Sequence, residues 1–139
     1  MICTFFGHKD TPESTKEALK SVLINLIENK GVNLFYVGNH GNFDRMTLEV
    51  LKELTKCYSH IKYYVVLAYF PKNKSEEHTN TILTEGLEST PPKYAIIKRN
   101  QWMIDKSDFV VTYVKYTFGG AYKFQQLAIK KGKTVIDLV

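Results

Sequence analysis

Three short glycine-bearing stretches could do chemistry together. They are "GHKDT" with Gly7, His8, Asp10 and Thr11; "GNHGNFD" with Gly38, Asn39, His40, Gly41 and Asp44; and "KYTFGG" with Lys115, Thr117, Gly119 and Gly120. Each follows an apolar run and precedes a segment of helical periodicity. The start of a helix offers unpaired backbone N–H groups and a partial positive charge, which suit phosphate. Glycine lets a ligand approach the backbone closely. Any one of these stretches alone reads as a turn; their conjunction points to one site for an anionic small molecule. Neither a strict GxGxxG nor a Walker A lysine loop is present.

A second group surrounds "RNQWMIDKSD", where Arg99, Trp102 and Asp105 recur at three-residue intervals. Arg99 and Trp102 share a helix face, and Asp105 is turned away from it. Arg99 is suited to pair with phosphate, while Trp102, or Tyr69 at the end of another apolar run, is suited to stack on a base. The alternative is Trp102 packed in the core with Arg99 in a surface ion pair. His8 and His40 lie in the glycine loops, where they either line the site or stay outside it. His60 ends a helix and meets its dipole, and His78 is expected to be solvated. No spacing selects a catalytic group. Asp10, Asp44 or Glu85, and more remotely Asp105, could be the carboxylate that stabilises or captures an oxocarbenium-like centre, and a carboxylate of raised pKa beside His8 or His40 could act as general acid.

These residues need elements to position them. "ICTFFG" reads as a strand, followed by the helix "TPESTKEALKSVLINLIENKG". Ser14 and Glu17 suggest a capping box, Ala18, Val22 and Leu26 a buried face, and Gly31 a stop. "VNLFYVG" is a second strand. The helix "NFDRMTLEVLKELTKCY" follows, with Asn42 as its cap and Phe43, Met46, Val50, Leu54 and Cys57 at helical spacing. "KYYVVLAYF" is nearly continuous in apolar residues, as a buried parallel strand should be.

From Pro71 to Pro92 the pattern lapses into a polar, proline-broken excursion with one weak apolar group, Ile82 and Leu83. It is expected to be a loop over the ligand edge, of a length that is often functional. "KYAIIKRNQWMIDKS" is a helix with Met103 and Ile104 in the core, and Asp108 caps or turns into the strand "DFVVTYV". "GGAYKFQQLAIKKG" is the last helix, with Ala121, Phe124, Leu127 and Ala128 as its stripe, and "KTVIDLV" is the last strand. Strands alternating with helices predict an α/β, Rossmann-like three-layer sandwich over residues 1–139, a single domain. Its sheet is expected to be mainly parallel and five-stranded, with helices on both faces. Ligands of such sheets bind beyond the carboxyl ends of the strands.

The 139 residues are 44% hydrophobic and 24% charged, ordinary for a globular chain. No apolar run approaches the roughly 20 residues of a membrane span, and "MICTFFGHKD" lacks the features of a signal peptide. Cys3 and Cys57 are the only cysteines and both read as small buried hydrophobes, which suits a reducing cytoplasm. No cluster suggests a metal, and no cofactor is implied.

The net charge of +5 fits an anionic ligand or weak nucleic-acid affinity. However, the lysines are scattered (Lys16, Lys20, Lys30, Lys52, Lys56, Lys72, Lys74, Lys130, Lys131, Lys133), as on a solvated surface. A basic stripe interleaved with aromatics, as nucleic-acid binding would ask for, is missing. Nine tyrosines leave amphipathic surface for a homo-oligomer.

Four stretches together resemble one family. They are "FFGHKDT", "FYVGNHGNFD", "PPKYAIIKRNQWMIDKSDFVVTYV" and "GGAYKFQQLAIKKGKTVIDL". The chain is similar over nearly its whole length to small stand-alone bacterial and phage members of the SLOG superfamily. These are Rossmann-like domains related to the LOG enzymes and to DprA. The resemblance implies a site for nucleotides or nucleotide-derived ligands, of ADP-ribose or NAD type, over the strand ends, in a sensor or sequestering protein. The alternative it implies is a nucleoside or nucleotide N-glycosidase or transferase.

The LOG enzymes carry a PGGxGTxxE loop with a catalytic glutamate. Here Gly119 and Gly120 match the glycine pair, Phe118 replaces the proline, and Ala121, Tyr122 and Lys123 follow. Gln126 stands at the glutamate's place and cannot serve as a carboxylate. The phosphoribohydrolase activity therefore does not carry over. The nucleophile of the nucleoside deoxyribosyltransferases likewise has no counterpart.

Overall fold

The computed structural model describes residues 1–69 and 80–139. The strands are β1 (Ile2–Gly7), β2 (Leu34–Val37), β3 (Lys62–Leu67), β4 (Thr81–Leu83), β5 (Phe109–Tyr113) and β6 (Thr134–Asp137). All their pairings are parallel, in the order β4-β3-β2-β1-β5-β6. The helices are α1 (Lys16–Lys30), α2 (Gly41–Cys57), α3 (Ala95–Lys106) and α4 (Gly120–Lys130). Among the described residues, single turns of 3-10 helix at Glu13–Thr15, Leu87–Ser89 and Pro92–Tyr94 lead into or between them.

Alternation along the strands builds two cores, because successive side chains leave a strand on opposite faces. Cys3, Phe5, Val65 and Val111 join one core, with Leu19, Leu23 and Leu26 of α1 and Val50, Leu51 and Leu54 of α2. Their neighbours Phe6, Val66 and Val110 join the other, with Met103 and Ile104 of α3 and Phe124 and Ala128 of α4. The rings of Phe5 and Phe35 stack at 6.1 Å in the first core, and those of Phe6 and Phe124 at 5.6 Å in the second. Burial on both faces is why the inner strands read as unbroken apolar runs.

The sheet has six strands, not five. The extra one is Thr81–Leu83, paired with the far half of β3 (Val65 with Thr81, Val66 with Ile82, Leu67 with Leu83). It spans three residues at an edge, so one weak apolar group suffices and the alternation signal is too short to read. Thr84 fastens its end by donating from its backbone and its hydroxyl to Leu67 O, at 3.3 and 2.9 Å. His78 and the stretch immediately after Pro71 fall outside the described residues.

Several local expectations are also corrected. Ser14 lies within the 3-10 turn ahead of α1, and neither it nor the N-cap Thr15 makes a side-chain capping bond. The buried face of α1 is Leu19, Leu23, Leu26 and Ile27, with Ala18 exposed and Val22 half-buried. Gly31 does end α1, in the left-handed region at φ 71°. The N-cap of α2 is His40, whereas Asn42 sits inside the helix and donates from its side chain to Thr11 O at 3.4 Å. Cys57, at the last turn of α2, is exposed; Cys3 is buried, and burial pushes its thiol pKa up. In α4, Phe124 and Ala128 are buried but Ala121 and Leu127 only half so, and Gln125 is buried, donating to Thr112 Oγ1 at 2.8 Å. Asp108 accepts the Ile2 N–H at 2.9 Å, which ties the start of β5 to β1.

The chain winds outward from β1 through β2 and β3 to β4, then returns across the sheet to lay β5 on β1's other side. β1 leads into α1 in one layer and β5 into α4 in the other. The two connections diverge and leave a crevice above the paired ends of β1 and β5, the switch point at which doubly wound sheets bind ligands. Among the described residues, no helix is long and apolar enough to cross a membrane.

Candidate functional site

The crevice consists of two adjoining hollows that share Gly7, His40, Gly120 and Ala121. The inner one, about 180 Å³, has Phe5, Phe6, Gly38, Asp44, Arg99 and Asn100 among its lining. The outer one, about 430 Å³, is bounded by His8, Lys9 and Asp10 after β1 and by Tyr116, Phe118 and Gly119 after β5.

Arg99 dominates the inner hollow. It belongs to α3, in the layer opposite α2, and reaches over the end of β2 to the α2 side. Only 4% of it is exposed. Its Nε donates to Asn100 Oδ1 at 3.1 Å and its Nη1 to Asn39 Oδ1 at 2.9 Å. Nη2 has no hydrogen-bond partner among the described residues.

Asp44 lies on the other side of Gly38. Its Oδ2 accepts the His40 N–H at 2.9 Å, so it caps the start of α2 from within the first turn. Burial pushes its pKa from the usual 3.8 up to about 6, held back by the His40 N–H and by the charge of Arg99. The same burial lowers the Arg99 pKa, with Asp44 and Tyr69 opposing. The two groups feel each other's charge without an ion pair closer than 4 Å among the described residues.

The glycines divide by role. A Cβ on Gly38 would stand 2.8 Å from Asp44 Oδ2 and 3.3 Å from Arg99 Cζ, so the bare backbone is what lets these groups flank it. A Cβ on Gly7 would meet the Phe43 ring at 2.3 Å, so Gly7 serves packing as well as lining the crevice. Gly41 packs its own backbone on Lys9, joining the first two glycine loops, and lines neither hollow. At Gly119 and Gly120 nothing stands within 4 Å of an added Cβ. Gly119, at φ 91°, turns the chain into α4 through a conformation that other residues rarely adopt.

Of the residues singled out in the sequence, Gly7, His8, Asp10, Gly38, His40, Arg99, Gly119 and Gly120 line the crevice. Asn39 is beside it through its bond to Arg99. Four are elsewhere: Gly41, as above, and Thr117, Tyr69 and Trp102. Thr117 is exposed and lines neither hollow. Tyr69 is exposed and donates its hydroxyl to Pro92 O at 3.1 Å.

Trp102 packs on Tyr36 at 5.0 Å and under Lys106, with its Nε1 buried and unpartnered among the described residues. It therefore packs on the α3 side of the sheet and lines neither hollow. Arg99 is buried and makes no ion pair within 4 Å among the described residues. Of the carboxylates, Asp10 and Asp44 line the crevice, while Glu85 is exposed outside it and Asp105 pairs with Lys131. Tyr116, Phe118, Lys9 and Asn100 were missed, although the two rings stood in view, flanking Thr117 in the third glycine stretch.

His8 is fixed in place. Its Nε2 accepts the Lys115 N–H at 2.9 Å, which puts the proton of the neutral ring on Nδ1. Its ring meets Tyr113 edge-on at 6.2 Å and Tyr116 at 5.0 Å. Gln126, in the place of the LOG glutamate, points its part of α4 to solvent.

No curated protein matches the sequence significantly. Among solved structures, DNA processing protein A (DprA) from Streptococcus pneumoniae superposes with a TM-score of 0.70 at 13% identity, over 97% of this chain and 49% of that one. The likeness is therefore one of fold, and this chain spans about half of that protein's length. The family model described as the YspA SLOG family (YpsA) matches residues 2–137. With the switch-point crevice and its glycine loops, that match makes this chain a member of the YpsA family of SLOG proteins.

Proposed function

We propose that this protein binds a nucleotide or nucleotide-derived ligand, of ADP-ribose or NAD type, in the crevice over β1 and β5, as a sensor or sequestering protein. The observation that carries this reading is Arg99: a guanidinium only 4% exposed, held by two amide side chains, with its third nitrogen unpartnered among the described residues. A guanidinium fixed by two amides at the lining of an open hollow is placed to take an anionic group through charge-assisted hydrogen bonds. The open glycine pair at the start of α4 adds unpaired N–H groups on the opposite wall. Native mass spectrometry of gently purified protein, with identification of any small molecule released, tests the reading. A bound nucleotide-type species is expected. An empty protein that also shows no thermal shift with nucleotides and NAD derivatives would end it.

Asp44 favours a second reading, an N-glycosidase or transferase. It is a crevice carboxyl whose pKa lies near 6, where a group can both hold and give up a proton. On that reading Asp44 gives its proton to the departing base as the N-glycosidic bond breaks, and water or an acceptor base takes the base's place on the sugar carbon. Free base released from nucleotides by the wild type but not by Asp44→Asn would support it. Tight binding with no turnover across a broad panel would remove it.

A further inference from the structure

Four rings run in a ladder from the end of β5 to the rim of the outer hollow. Tyr113 meets His8, His8 meets Tyr116 at 5.0 Å, and Tyr116 stacks on Phe118 at 5.4 Å with planes 25° apart. The inner end is anchored by the hydrogen bond from the Lys115 N–H to His8. At the outer end Phe118 is 70% exposed and Tyr116 42%, although both are large apolar rings beside a hollow of about 430 Å³. Next to them, the space beside Gly119 and Gly120 is open.

We propose that this wall is the nucleobase seat. On this inference, which rests on the nucleotide reading above, the ligand is a nucleotide with an aromatic base and not a base-free phosphosugar. Its base stacks on Tyr116 and Phe118, and its anionic end lies toward Arg99. The hollows adjoin through Gly7, His40 and Gly120, so one molecule can span them. Rings held in an offset stack present a flat face of the kind that a base covers favourably. Each base offers such a face, so the seat selects for a planar ring. Of the two stacking candidates read from the sequence, Trp102 is already covered by Tyr36 and Lys106, and Tyr69 lines neither hollow.

Calorimetric titration with AMP and with ribose 5-phosphate tests the seat. The wild type is expected to bind AMP at least about ten-fold more tightly than ribose 5-phosphate, the difference one base–aromatic stack makes. Phe118→Ala should lose about that factor for AMP and leave ribose 5-phosphate unchanged, while Phe118→Tyr restores AMP binding. Phe118 is exposed, so these variants keep the fold. If the wild type binds the two ligands equally, or Phe118→Ala weakens neither or both alike, the base seat is wrong while the anion site at Arg99 stands. If the wild type binds neither ligand, the nucleotide reading falls, and the seat with it.

Discussion

Arg99 and Asp44 come from helices in opposite layers and face each other past a residue with no side chain. Their burial makes stability depend on pH. Folding raises the Asp44 pKa from the usual 3.8 to about 6, so the folded chain holds this proton more tightly than the unfolded one. Its contribution is fully present below pH 3.8 and is lost as pH rises through about 6. Above that, the ionised carboxylate costs about 3 kcal/mol, from a shift of about two units. Asp44→Asn should flatten the stability profile between pH 4 and 6 in urea titrations, relative to the wild type. An unchanged slope would place the dependence elsewhere. Because the charge of Arg99 holds the Asp44 pKa down, Arg99→Ala should move this titration to higher pH. A carbonyl-carbon NMR titration of Asp44 would read the shift directly. The same variant should weaken AMP by ten-fold or more, since a charge-assisted contact of about 1.5–3 kcal/mol is lost. Arg99 and Trp102 looked alike in sequence, as two functional side chains on one helix face. Their opposite fates depend on where α3 crosses the sheet, and three-residue spacing does not record that.

At the scale of elements, the glycine loops carry the site and were legible because a glycine after an apolar run marks where a strand ends. What each glycine is for was not legible. Gly7 and Gly120 both line the crevice, yet a side chain at Gly7 would enter the Phe43 ring and one at Gly120 would enter open space. Gly7→Ala should therefore cost on the order of 1–3 kcal/mol by overpacking. Gly120→Ala should leave thermal stability within roughly 0.5 kcal/mol while narrowing the crevice and weakening AMP. Equal melting temperatures for Gly7→Ala and the wild type would refute the packing role. The face of α1 was misjudged because Ala18 and Val22 fit the same period as Leu19 and Leu23, one residue out of phase. Burial went to the larger side chains. The missed strand Thr81–Leu83 is short and at an edge, and it gains its structure from β3 rather than from its own pattern.

For the whole molecule, strand order decides where function can sit. Alternating strands and helices implied a parallel sheet with two covered faces, but not the order in which the strands lie. The order places β1 beside β5 and so brings together loops more than 100 residues apart, seen in the bond between Lys115 N–H and His8. The net charge of +5 favours an anionic ligand at long range without choosing one. The most direct test of the central claim is an amide NMR titration of the wild-type chain with AMP. The account predicts shifts concentrated at residues 7–10, 38–41 and 116–121. Shifts centred at the opposite end of the sheet, around Lys62–Tyr64, or none at saturating AMP, would contradict it.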